Sequence, residues 1–107
     1  MTKMDPNKMM AQLGKMQQQM EQAQEQLKTE YVEHSAGGGA VTVKISGALE
    51  VSEVTIKPEA IDPDDPEMLA DLVLAASNEA LRAARAKVEA KMKAMLPSDL
   101  GGLLPGL

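Results

Sequence analysis

The sequence of 107 residues has no cysteine, no tryptophan and no phenylalanine, and it has one tyrosine and one histidine. The lack of cysteine excludes disulfide bonds and metal sites built on cysteine. The lack of aromatic residues argues against a stacking platform for single-stranded nucleic acid. The core must therefore be built from Leu, Val, Ile, Ala and the nine methionines. Because a small domain without aromatic bulk buries little apolar surface, we expect a homo-oligomer.

Long apolar runs are also missing, and the first residues contain no apolar segment typical of a signal peptide. We therefore expect a soluble, cytoplasmic protein without a membrane partner. His34 is accompanied by no nucleophile pattern, so the sequence does not predict an enzyme or a cofactor. The acids Asp62, Asp64 and Asp65 do not match a calcium loop, because positions six and twelve counted from Asp62 are Glu and Val. We interpret them as favourable charges at a helix N-terminus and expect no metal.

Charge is unevenly distributed along the chain, whose net charge is −5. Residues 50–71 contain eight acidic residues and one basic residue, whereas residues 72–107 contain five basic and three acidic residues. The overall field repels nucleic acid, so any contact with phosphate must rely on local basic clusters.

The first predicted helix covers residues 5–28, with Asp5 as N-cap and Pro6 in the first turn. Its apolar residues alternate in spacings of four and three, which is typical of a coiled-coil seam. This seam is more often a core or dimer contact than a metal or peptide surface. It consists of Met9, Leu13, Met16, Met20, Ala23 and Leu27.

Three consecutive glycines, residues 37–39, separate the first helix region from a strictly alternating segment that begins at Val41. Glycine is costly in a helix and alternation predicts a half-buried strand, so the glycines form a hairpin turn and not a phosphate loop. The flanking strands are predicted at residues 30–35 and 49–57. The apolar phase of the latter shifts, which predicts a bulge near Ser52 and Glu53.

A second helix is predicted from Pro66 to Met95, with Asp64 or Asp65 as its N-cap. It carries two apolar stripes and therefore needs two partners, of which one is the sheet and the other a second subunit. We expect residues 1–96 to form one domain and residues 97–107, which are rich in Gly, Pro and Leu, to form a flexible tail. The first stripe consists of Leu69, Leu72, Val73, Ala76, Ala80 and Ala83, and the second of Leu74, Leu81, Val88, Met92 and Met95.

Basic residues cluster on the second helix. Taken alone, the cluster is most simply interpreted as a helix face exposed to solvent. The functional interpretation is that these cations contact phosphate groups of a nucleic acid. Because the sequence has neither helix-turn-helix nor zinc-finger spacing, contact with duplex DNA would use backbone and shape, with low sequence specificity. The candidate nucleic-acid-binding residues are Lys3, Lys8, Lys15, Arg82, Arg85, Lys87, Lys91 and Lys93.

Several motifs occur together in one order over nearly the whole chain. A Met/Gln-rich helix precedes Ala-Gly-Gly-Gly-Ala-Val (residues 36–41), and Asp-Pro-Asp-Asp (62–65) precedes Met-Leu-Ala-Asp-Leu-Val (68–73). Ala-Ala-Ser-Asn-Glu-Ala (75–80) and a final Leu-Leu-Pro-Gly (103–106) follow. This set resembles the YbaB/EbfC family of bacterial nucleoid-associated proteins.

The resemblance implies an α+β fold, helix–three-stranded antiparallel sheet–helix, in a tweezer-like homodimer that pairs through its sheets and projects helical arms. It further implies binding to double-stranded DNA in the nucleoid, with altered DNA conformation and roles in nucleoid organisation, gene regulation and DNA protection. It supplies no catalytic residues. The alternative hypothesis is an interaction module for recombination or replication proteins, which would dock on the methionine-rich seam, the second apolar stripe of the second helix and the apolar tail.

Overall fold

The computed structural model describes residues 5–95. Lys3 and the predicted flexible tail, residues 97–107, lie outside the described residues. The predicted order of helix, three strands and helix is confirmed. The elements are α1 (Pro6–Lys28), β1 (Tyr31–Ala36), β2 (Val41–Ser46), β3 (Val51–Ile56), a short 3-10 helix (Pro58–Ala60) and α2 (Pro66–Met95).

Acidic side chains cap both long helices. The Asn7 amide donates to Oδ1 of Asp5 at 3.0 Å, which confirms Asp5 as the N-cap of α1. At α2 the Met68 amide donates to Oδ1 of Asp65 at 3.2 Å. Of the two predicted caps, Asp65 therefore occupies the position, because its carboxylate satisfies an amide that has no partner within the helix.

The glycine turn joins β1 and β2, as predicted. All three glycines have positive φ, between 66° and 92°, which other residues adopt only at a cost. The strand boundaries differ from the prediction by one or two residues. Strand β3 begins at Val51 and not at residue 49, because Leu49 has a left-handed φ of 63° in the turn that precedes the strand.

The predicted bulge in β3 is confirmed at Ser52. Lys44 pairs with Glu53, but the next residue, Ile45, pairs with Val51, so Ser52 is left out of the ladder. The extra residue restores the phase of β3. Consequently Val51 and Val54 point to the same side of the sheet as the apolar residues of β2.

Helix α2 covers part of this apolar side. It packs on β1 and β2, and its alanines contact a fully buried row from β2. Ala84, and not the predicted Ala83, completes the buried stripe, because steps of four residues keep one side of the helix toward the sheet. The helix does not shield β3, where Val51 and Val54 remain 56% and 45% exposed. The core consists of Val41, Val43, Ile45, Ala76, Ala80 and Ala84.

Helix α1 joins the body through its C-terminal end. Ala23 and Leu27 are buried, whereas the earlier residues of the seam are exposed. The amide of Gly47 donates to the carbonyls of Leu27 at 2.9 Å and Glu30 at 2.8 Å, which ties the end of α1 to the end of β2. The rest of α1 therefore projects as an arm from a molecule that measures 75 × 24 × 16 Å.

Candidate nucleic-acid interface

The C-terminal half of α2 is the most basic part of the described structure. Residues 77–95 contain five basic and two acidic residues. The opposite pole, beside the glycine turn, is acidic, since residues 57–71 contain one lysine and six acids. The uneven charge of the sequence therefore places the basic and the acidic residues toward opposite ends of the body of the molecule.

Three cations of α2 face away from the sheet. Successive residues turn by about 100° in a helix, so Arg82, Arg85 and Lys93 lie on the side opposite the buried alanines, and all three are exposed. Arg82 forms an ion pair with Glu79, and these side chains are 68% and 53% exposed. An exposed pair contributes only about 0–1 kcal/mol, so Arg82 can exchange this carboxylate for a phosphate.

The other two candidate cations on α2 lie on the inward side. Lys87 is half-buried. The Lys91 ammonium lies 3.4 Å from both carboxylate oxygens of Glu30, and the two side chains are 24% and 35% exposed. Lys91 thereby connects α2 to the residue that precedes β1. Lys91 therefore pairs with Glu30 at the place where the C-terminal part of α2 meets the end of α1.

The two described candidates on α1 share one side of the helix. Lys8 and Lys15 are exposed and stand about 10 Å apart along the axis. Both lie along the same side of the exposed part of the seam, which we call the methionine stripe. It comprises Met9, Leu13, Met16 and Met20. Seven of the eight candidate residues therefore lie on α1 or on the C-terminal half of α2.

Two lysines that were not among the candidates also have defined surroundings. Lys28 donates to Glu25 at 2.9 Å, and this hydrogen bond together with the carboxylate charge raises the pKa of Lys28 above its ordinary value. The ammonium of Lys44 lies 4.6 Å from the centre of the Tyr31 ring on the polar side of the sheet. The sequence could have indicated Lys28, because this lysine lies in the last turn of α1 and a cation near a helix C-terminus is stabilising.

An apolar groove of about 810 Å³ lies at the acidic pole, between the glycine turn and the first turns of α2. Gly37, Ala40, Pro58, Met68 and Leu72 are among its lining residues.

Within residues 5–95, three or more His, Asp or Glu residues nowhere gather closely enough to hold a metal ion. The helices described here are also too polar or too short to cross a membrane.

The fold and sequence are similar to those of known bacterial proteins. Residues 2–100 match the model of the YbaB/EbfC DNA-binding family. A nucleoid-associated protein from Acetivibrio thermocellus is 54% identical over 101 residues, which cover 94% of this chain and 88% of that protein. Another, from Chloroflexus aurantiacus, is 47% identical over 104 residues, or 97% of this chain and 99% of that one.

The crystal structure of uncharacterized protein HP0035 from Helicobacter pylori superposes with a TM-score of 0.79 at 23% sequence identity. The match covers 89% of this chain and 100% of that chain, and it supports the fold alone. The family is named for DNA binding and not for a reaction. With a matching model over nearly its whole length and relatives at about half identity, the chain belongs to the YbaB/EbfC DNA-binding family.

Proposed function

We propose that the protein is a nucleoid-associated protein that binds double-stranded DNA through phosphate contacts from its helical arms and alters the conformation of the duplex. The observation that carries this proposal is the exposed outward set Arg82, Arg85 and Lys93 on the basic half of α2. Membership of the family and the names of the relatives support the same function.

Low sequence specificity follows from how these cations are presented. Three strands lie between the two long helices in the sequence, so the helices are not joined by the short turn of a helix-turn-helix, which places a recognition helix in the major groove. Glu79 and Glu89 are interspersed among the arginines and lysines, which leaves a modest local field. Such a surface favours contacts with phosphates, which position a protein without reading the bases.

The proposal includes a homodimer that forms through the sheet. The helix-side residues Val51 and Val54 of β3 are exposed beside a fully buried core, and β3 is an edge strand. Exposed apolar edge strands invite pairing with another chain. A second copy seated on β3 would bury these valines and join two sets of arms in one particle, which supports DNA bending or bridging. Nucleoid organisation, gene regulation and DNA protection are the roles that such a particle would serve.

A salt titration of duplex binding tests the function. Fluorescence anisotropy with two unrelated 30-base-pair duplexes should give similar affinities for both sequences. If four to six phosphates are contacted, log K should fall against log salt with a slope of about −4 to −5. No complex at micromolar protein and physiological salt, with either duplex, would refute DNA binding.

Single substitutions refine the same titration. Arg85→Ala and Lys93→Ala should each weaken binding to both duplexes and make the slope shallower by about one. Lys57→Ala removes a charge at the acidic pole and is the matched control, which should leave the slope unchanged. Equal effects at both poles would show that overall charge, and not the arm surface, governs binding.

The exposed methionine stripe favours a second candidate function, an interaction module for recombination or replication proteins. Met side chains adapt to varied apolar partners, and the four residues of the stripe are all at least 45% exposed. Reversing the charges of Arg82 and Arg85 to Glu separates the candidates. Loss of DNA binding with retained capture of such a partner would assign the two functions to different surfaces.

A further inference from the structure

The apolar groove at the acidic pole is formed by three segments that are separate in the sequence. The glycine turn contributes one part of its lining, the 3-10 helix after β3 contributes another, and Met68 and Leu72 of α2 contribute a third. Its volume of about 810 Å³ falls within the range of about 300–1,000 Å³ that is typical of ligand pockets. The groove is therefore large enough to hold several side chains of a partner.

Two features of the lining suit an apolar partner with a flexible backbone. Gly37 and Gly38 present backbone without side chains, and a Cβ at Gly38 would meet nothing within 4 Å, so another chain can approach the turn closely. Met68 is 41% exposed, and its unbranched side chain adapts to apolar groups of different shape. The groove can therefore accept apolar side chains carried on an extended peptide.

The acidic residues around this groove determine the charge of the partner. Residues 57–71 contain six acids and one lysine, all six acids are exposed, and within residues 5–95 none of them forms an ion pair. Asp62 and Asp65 accept hydrogen bonds from backbone amides of the same segment. The other four carboxylates are available to cations of a partner, and they belong to Glu59, Asp64, Glu67 and Asp71.

We propose that the apolar groove binds a short segment of another protein in which leucine-sized side chains are flanked by lysine or arginine. The apolar side chains leave water by entering the groove, and the cations face the surrounding carboxylates, of which Glu59 lines the groove itself. Lys57 also lines the groove and repels a cation, so the partner's cations lie toward the start of α2. This site does not depend on the proposed DNA binding.

Fluorescence anisotropy with the full chain tests the proposal on three labelled nine-residue peptides. The first has the sequence Gly-Lys-Leu-Lys-Gly-Lys-Leu-Lys-Gly, the second has serine in place of each leucine, and the third has glutamate in place of each lysine. At about 50 mM salt we expect the first peptide to bind with a Kd of about 100 µM or below, and about tenfold or more tightly than the other two, because it alone supplies both features.

Substitution of Met68 tests the apolar part of the site. Met68→Gln should weaken binding of the first peptide about tenfold, because an exposed apolar wall of the groove becomes polar. Leu74→Gln is the matched control, since Leu74 is 59% exposed on the same helix but lies about 120° round the axis from Met68. It should change the affinity by less than about twofold. Equal effects of the two substitutions would overturn the proposal.

Substitution of Glu59 tests the charged part of the site. Glu59→Gln should weaken binding about threefold, whereas Lys57→Glu should strengthen it by at least about as much. Glu89→Gln removes the same charge from an exposed position on the basic half of α2 and should leave the affinity unchanged. If Glu59→Gln and Glu89→Gln weakened binding equally, overall charge and not the groove would govern it, and the proposal would be wrong.

Backbone amide chemical shifts locate the bound peptide and show that each variant is folded. We expect the largest changes at Gly37, Gly38, Ala60, Met68 and Leu72. Largest changes elsewhere, or no binding of the first peptide at millimolar concentration, would overturn the proposal. Shifts of the same amides that depend on protein concentration and do not respond to the peptide would mean that a second copy of the chain covers the groove. None of these measurements contains DNA, so their failure leaves the proposed DNA binding untouched.

Discussion

At the level of single residues, the joint between α1 and the sheet depends on Gly47. The dipeptide Gly47-Ala48 indicates a turn in the sequence, but the structure adds a close approach to α1. A Cβ at Gly47 would lie 2.5 Å from the Leu27 carbonyl oxygen. No real Cβ tolerates that distance to a backbone atom, so a side chain here would push the arm away from the sheet.

Gly47→Ala should therefore destabilise the protein by about 1–3 kcal/mol, the range for overpacking a well-packed site. Gly14→Ala is the matched control, because a Cβ at Gly14 meets nothing within 4 Å and lies in an exposed part of α1. It should keep or raise stability, by up to about 1 kcal/mol. Urea denaturation measures both, and equal effects of the two substitutions would contradict the close contact.

In the glycine turn, the loss of stability on substitution should differ between two positions. Gly38 has a φ of 67° with open space around the missing Cβ, whereas a Cβ at Gly37 would lie 2.8 Å from Leu72. Gly38→Ala should cost about 1 kcal/mol for the left-handed conformation, and Gly38→Asn less. Gly37→Ala adds the contact with Leu72 and should cost more than Gly38→Ala. Thermal denaturation that reversed this order would refute the assigned turn.

At the level of elements, α2 carries three groups of side chains with different roles on two sides of the helix. On the inward side the alanines allow close approach to β2, and Lys87 and Lys91 follow them toward the C-terminus; on the outward side Arg82, Arg85 and Lys93 face solvent. The small alanine side chains matter because they place the helix axis near the sheet. Substitutions within one group should therefore affect one property and leave the others unchanged.

The pair formed by Lys91 and Glu30 tests this separation. A double-mutant cycle with Lys91→Met and Glu30→Gln should give a coupling free energy of about 0.5–1 kcal/mol, since the pair is only partly exposed. Lys91→Met should also weaken DNA binding less than Arg85→Ala, whose side chain is exposed. A coupling of zero with equal losses of affinity would place Lys91 on the DNA surface and not in the joint.

At the level of the whole molecule, the helix-side face of β3 exposes apolar side chains that a stable monomer would be expected to bury. Val51 and Val54 continue the buried apolar surface of β2 but lie beyond the cover of α2. Together with a chain poor in aromatic residues, this favours assembly through the sheet. It would also place two basic α2 surfaces in one particle.

Light scattering should give about twice the 11.4 kDa mass of the chain at micromolar concentration. Val54→Asp should reduce this to the mass of one chain, because a carboxylate buried in an apolar interface loses its hydration. Thr55→Asp, one residue away on the polar side of β3, is the control and should remain a dimer. A monomeric unaltered protein, or a dimeric Val54→Asp variant, would exclude this interface.

The sequence by itself determined the order and type of the elements. Capping residues, the glycine turn, strict alternation in β2 and the phase shift at Ser52 are local signals that predict local geometry. They correctly located both helices, the hairpin and the bulge. The resemblance of ordered motifs was sufficient to predict the family.

Only the tertiary structure decided which apolar side chains find partners. Met9 and Leu27 belong to the same apolar seam of α1, yet the first is exposed and the second is buried, because α1 meets the body only at its end. Likewise, Lys91 and Arg85 belong to the same basic half of α2, but only Lys91 lies within reach of Glu30. Periodicity specifies the side of a helix to which a residue belongs. What that side faces depends on chain segments distant in sequence, which no local pattern records.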